Sequence, residues 1–200
     1  MKIQLLVISA LSFCIFHTQM AYAQGNTTEN RPSASGMVKH KPGESYGGGK
    51  IFWVDETGQH GLIAANSDQS AEGIAWNPAT SVATSATADG VYSGESNSGI
   101  IVKVQGTTTN YAARLCQDLV LTIDHITYSD WYLPSRKELQ LLYQQKQAVG
   151  GFNTTSGIYW SSTESIATPQ SMAWELEFKY GSQYEDDKDL PNQVRCIRKF

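Results

Sequence analysis

The sequence predicts an α+β domain built on an antiparallel sheet with short strands, two helices and long irregular loops. Three observations carry this. A β-rich hairpin pattern opens the domain at 51–65. Two apolar stripes of helical period follow between about 110 and 150. Three short β-type runs close it between 158 and 198.

The opening run Ile51-Phe52-Trp53-Val54 is β-branched and aromatic, and reads as a strand. Asp55 to Gly61 has turn chemistry, and Leu62-Ile63-Ala64-Ala65 returns as the second strand. Residues 66–110 are small and polar, with Trp76 and Ile100-Ile101-Val102 as apolar anchors, and are expected to form a long, functional loop. The first helix is expected over about 110–121, where Ala112, Leu115, Cys116, Leu119 and Val120 make one stripe. Asp130 to Pro134 should be extended, because a residue before proline avoids the helical region. Ser135 starts the second helix, since Glu138 three residues on completes a capping box. Leu139, Leu142 and Tyr143 face inward, and Gly150-Gly151 ends it. Strands are expected at 158–162, 173–178 and 193–198. In the second, Trp174, Leu176 and Phe178 share one face.

The chain has 200 residues, three cysteines and a net charge of −4, with 17% charged residues. Residues 1–23 read as a removable export signal. Lys2 precedes an apolar stretch, and Ala21-Tyr22-Ala23 fits a small-x-small cleavage site. Lipidation at Cys14 and an uncleaved anchor are the alternatives, although Phe13 stands where a lipoprotein signal wants a small residue. Residues 24–45 read as a polar leader, and 46–200 as one domain. No later run is apolar enough to span a bilayer, so the mature form should be exported without a membrane span, to the periplasm, cell surface or medium. The mildly acidic charge offers no footprint for nucleic acid.

Export places Cys116 and Cys196 in an oxidising compartment, where a disulfide is the natural reading. Two free buried thiols, or a catalytic thiol, are the rivals. No histidine lies near either cysteine in sequence to activate it.

Other motifs fail on inspection. Gly47-Gly48-Gly49-Lys50 is no phosphate loop, since Glu44 and Ile51 occupy its required positions. Gly94-Glu95-Ser96-Asn97-Ser98 lacks the second glycine of a nucleophile elbow and reads as a loop. His40, His60 and His125 have no ligand-spaced partner for zinc, and His60 reads as an exposed turn residue.

Four segments together resemble a known family. They are Tyr46-Gly47-Gly48-Gly49-Lys50-Ile51-Phe52, Asp130 to Leu139, Tyr159-Trp160-Ser161-Ser162-Thr163-Glu164 and Val194-Arg195-Cys196-Ile197-Arg198. They look like the C-terminal domain of the Legionella collagen-like protein, Lcl, over nearly the whole mature chain. The resemblance implies an exported bacterial domain of C-type-lectin-like fold, with a disulfide from the first helix to the last strand. It implies an adhesin-type role in binding sulfated glycans. This chain departs from the founding member in lacking collagen-like repeats.

Candidate binding residues follow from chemistry. Arg195, Arg198 and Lys199, with Arg136-Lys137, could form a basic site for a sulfated or carboxylated glycan; solvated surface charge is the plainer reading. Trp76 is the tryptophan expected to be exposed for sugar stacking, while Trp131, Trp160 and Trp174 are expected in the core. Calcium is the one cofactor for which residues suggest ligands. Asp186, Asp187 and Asp189 fall in an acidic run expected to be a loop. Against it, Leu190-Pro191-Asn192 lacks the carboxylate of the calcium-lectin motif. The loops at about 150–157, 165–172 and 180–192 are the expected binding surface. The function expected is non-catalytic recognition of a glycan or surface protein. A structural or assembly protein of the envelope is the alternative. A catalyst like the formylglycine-generating enzymes would need a reactive thiol pair.

Overall fold

The 51–65 hairpin forms as its pattern requires. Strand β1 (Ser45–Tyr46) pairs with β2 (Gly49–Val54), and β2 pairs with β3 (Gly61–Ala64), all antiparallel. The computed structural model describes residues 38–70, 72–78 and 81–200; the expected export signal lies outside the described residues, as does most of the expected leader. At the β2–β3 turn the Asp55 carboxylate accepts bonds from the Thr57 and Gly58 backbone N–H groups, at 3.0 and 2.9 Å. The segment before β1 is tied to this hairpin. His40 N–H donates to the Gly58 carbonyl and Gly43 N–H to the Ile51 carbonyl, each at 2.8 Å.

The 66–110 stretch departs most from expectation. It contains the longest helix among the described residues, α1 (Ser93–Gln105), which takes in the segment read as a loop around Ser96. Sequence pattern concealed it, because its first half is glycine, serine and asparagine, which are weak helix formers. The helix docks through polar contacts along its first half, and only its second half packs apolar side chains, Ile100, Ile101 and Val102, on the core. Gly94, Asn97, Ser98 and Ile101 are its buried residues. Ser98 Oγ accepts from Leu133 N–H at 3.0 Å, and Asn97 Nδ2 donates to the Ala88 carbonyl at 2.6 Å. Gly94 is needed there, since a Cβ would lie 2.7 Å from both the Leu133 oxygen and the Ser135 nitrogen.

The expected helix at 110–121 is shorter, α2 (Ala112–Gln117). Leu119 and Val120 leave it for a hairpin, β4 (Leu121–Ile123) with β5 (Ile126–Tyr128). Its two-residue turn places Asp124 and His125 at φ 50° and 65°, the geometry that suits a tight hairpin. The capping box is present. Ser135 caps α3 (Arg136–Gln144), and α4 (Lys146–Val149) continues it after a break at Gln145. The described residues thus hold four helices where two were expected.

The second sheet is β6 (Ile158–Glu164), β7 (Met172–Glu177) and β8 (Ser182–Asp187), antiparallel in that order. Strand β8 corrects the expected 180–192 loop: Gln183, Glu185 and Asp187 pair in register with Leu176, Trp174 and Met172. The last expected strand starts late. Gln193 makes a single parallel bridge to Tyr159, and β9 (Ile197–Lys199) completes the first sheet against β3.

Trp76, Trp131 and Trp160 share one apolar core with Tyr111 and Cys116; Phe52, Leu139, Leu142, Leu176 and Phe178 form another. Cys116 on α2 is bonded to Cys196 ahead of β9, across 80 positions.

Candidate functional site

The predicted basic site is not assembled. Arg195 is fully buried. Its Nε meets Asp68 Oδ1 at 2.7 Å, Nη1 donates to the Ala65 and Gly150 carbonyls at 3.2 Å, and Nη2 donates to the Gly151 carbonyl at 2.5 Å. Its guanidinium also lies 4.0 Å from the Phe152 ring centre. It holds the 150–152 segment to the core and offers nothing to solvent. Arg198 grips both Asp130 oxygens, at 2.6 and 2.9 Å, and donates to the Gly47 carbonyl at 3.0 Å. Lys199 pairs with Glu95 of α1. All three cations already have anionic partners.

Trp76 corrects the expectation of exposure, for it is fully buried. Its Nε1 donates to the Ser161 carbonyl at 2.8 Å, and Lys188 Nζ sits 4.3 Å from its ring centre. A large apolar ring in a polar loop is that loop's anchor, and burial gains more than display. Trp131 and Trp160 are buried as expected, while Trp174 is half-buried beneath Arg136.

The aspartates do not converge either. Asp186 and Asp187 are consecutive on β8, so their side chains leave opposite faces, and Asp189 follows in the turn. Among the described residues, no three His, Cys, Asp or Glu side chains are grouped to hold a metal ion.

Two buried carboxylates were missed as functional centres of the scaffold. Glu138 is fully buried and joins two helix starts. Its oxygens accept from Ser135 N–H at 2.7 Å, Tyr92 N–H at 2.7 Å and Gly94 N–H at 3.1 Å. Burial pushes its carboxyl up, and the Ser135 and Tyr92 N–H groups pull it back. Glu164 meets Lys188 at 2.6 Å with both side chains buried, and accepts from Thr84 and Ser85 N–H at 2.7 Å. Lys188 Nζ spends its other protons on the Val82 and Pro169 carbonyls, at 3.0 and 2.6 Å. Only the capping box of Glu138 could be seen in the sequence.

Two exposed polar groups lie over the glycine turn before β2. A cleft of about 440 Å³ lies between that turn and the β4–β5 hairpin. Its floor depends on the glycines. Gly48 has φ +90°, and a Cβ there would lie 2.8 Å from the Tyr128 ring. A Cβ on Gly49 would meet the Ala64 oxygen at 2.0 Å. The turn is therefore a tightly seated backbone ledge. The exposed side chains of Asn66 and Asp124 line the cleft, and make no hydrogen bond among the described residues.

Tyr46 borders this cleft and is 44% exposed. Its ring packs on His40 at 4.3 Å and Phe200 at 5.2 Å between centres. Phe200 in turn borders a second, shallower cleft of about 540 Å³ with Asp55, His60, Tyr92 and Lys199. Tyr92 is 38% exposed and meets Trp53 edge-on at 5.7 Å. The rings of His40, Tyr46 and Phe200 thus form a ridge between two clefts. His60 is exposed, as its turn position required.

Fold and site define a disulfide-tied α+β domain of three small antiparallel sheets, with a two-cleft aromatic surface beside its first sheet. The chain belongs to the Lcl C-terminal domain family, which matches residues 50–198. No curated protein matches it. The match spans β2 to β9 and both bonded cysteines, so the family assignment and the scaffold coincide.

Proposed function

We propose that this is an exported bacterial recognition domain of C-type-lectin-like fold, which binds glycans at the cell surface as an adhesin-type module and catalyses nothing. The observation that carries this reading is the surface over the glycine ledge. It joins aromatic rings to unengaged amide and carboxylate groups, the combination that holds a hydroxyl-rich ring by stacking and hydrogen bonds. The ledge and ridge are set by a packed sheet, so such a ligand would meet a preformed site. Family membership supports a surface or secreted role. A formylglycine-generating activity would need reactive thiols, and Cys116 and Cys196 are buried and bonded to each other.

The envelope-assembly reading has one feature in its favour. Val120, Ile123 and Ile126 are exposed apolar residues on and beside the β4–β5 hairpin. A glycan array probed with the purified chain, with and without EDTA, separates the readings. Saccharide binding is expected, and its loss in EDTA would show that calcium takes part. A blank array from folded protein would favour envelope assembly.

A further inference from the structure

We infer that the two clefts are subsites for one uncharged oligosaccharide, laid across the His40–Tyr46–Phe200 ridge. The inference rests on the glycan reading above and specifies its ligand. Three observations carry it.

The clefts are linked by contact, because Tyr46 borders one, Phe200 borders the other, and their rings touch at 5.2 Å. Each cleft is larger than one sugar ring, and only a chain of rings can reach both. Each cleft also has its own polar groups: the exposed Asn66 and Asp124 in the first, and in the second the exposed His60 with the half-buried Asp55, whose Oδ1 is taken by the turn.

Charge decides against a sulfated ligand. The charged residues lining the first cleft reduce to Asp124. Those lining the second are Asp55 and Lys199, and the ammonium of Lys199 is held by Glu95. Arg198, behind the ledge, is neutralised by Asp130. A polyanion crossing the ridge would meet two carboxylates against one ammonium without a carboxylate partner, that of Lys50 on the Ser45 hydroxyl at 2.8 Å, whereas a neutral saccharide finds acceptors for its hydroxyls.

The backbone protects the test. Tyr46 is exposed, so Tyr46→Ala removes a ring without opening the core. Tyr92 has φ 68°, which asparagine tolerates, so Tyr92→Asn removes the second ring and keeps the helix start. Calorimetric titration would use glucose-, mannose- and galactose-based oligosaccharides from one to six rings, beside a heparin-derived hexasaccharide. Affinity for a neutral series should rise until the chain spans both clefts. Tyr46→Ala and Tyr92→Asn should each weaken the longer chains about two- to tenfold. Added salt should change little.

Binding of the heparin fragment alone, with steep salt dependence, would overturn this inference and leave the glycan reading standing. So would neutral binding that ignores both variants or chain length. Failure of every saccharide to bind folded protein would overturn the glycan reading itself.

Discussion

At the scale of single residues, buried carboxylates organise this domain. Glu138 illustrates how a buried carboxyl is satisfied by the backbone around it. Three backbone N–H groups point at its oxygens, and only an acceptor on both satisfies them. Glu138→Gln would turn an amide donor onto those N–H groups. A loss of about 2–3 kcal/mol is expected, measured by urea unfolding. Glu175 on β7 behaves differently. It is 3% exposed, and its carboxyl is pushed up to about 7, first by burial and then by Asp186 and Glu177, against the bond from Asn192. The ordinary value of 4.5 applies once the chain unfolds. The folded state therefore holds its proton more tightly. Glu175 favours folding fully below pH 4.5, and that contribution is lost as pH rises through about 7. Thermal melts of the wild type should fall over this window, and Glu175→Gln should flatten the fall. An unchanged pH profile in the variant would assign the effect elsewhere.

At the scale of elements, patterns of apolar residues were readable and polar docking was not. The β2–β3 hairpin and the capped helix α3 follow directly from alternation and from Ser135-x-x-Glu138. Helix α1 has no such signal, because what holds it is a set of bonds to Leu133, Ala88 and Glu138, of which only Ala88 is near in sequence. The acidic run read as a loop pairs as β8 because Trp174 and Leu176 next door supply the apolar face that it lacks. The candidate site was equally hidden. In sequence the glycines offer only a failed phosphate loop. Their need is steric, and appears only when Tyr128 and Ala64 are brought against them. Gly48→Ala should therefore cost about 1–3 kcal/mol, through both its positive φ and the clash with Tyr128. A lowered melting point with weakened saccharide binding is the expected result. An unaltered melt would show that the ledge can yield.

At the scale of the whole molecule, the cysteine pair was legible from number and from the compartment expected, while the engagement of the cations was not. Arg195, Arg198 and Lys199 lie close together in sequence, and three different carboxylates divide them. Replacing both Cys116 and Cys196 by alanine should lower stability by about 4–5 kcal/mol, on loop-entropy grounds. Equal denaturation midpoints for the variant and the oxidised wild type would refute that contribution.

The bond from Arg195 to the Ala65 carbonyl spans 130 positions, and that from Arg198 to the Gly47 carbonyl spans 151. Their consequence is kinetic. Contacts so distant form only after most loop-closure entropy has been spent, so the first sheet cannot be completed early. A nascent chain can make the β6–β7–β8 meander from neighbouring residues, yet β3 waits for β9. The first sheet therefore stays open until residues 193–199 arrive to lock it.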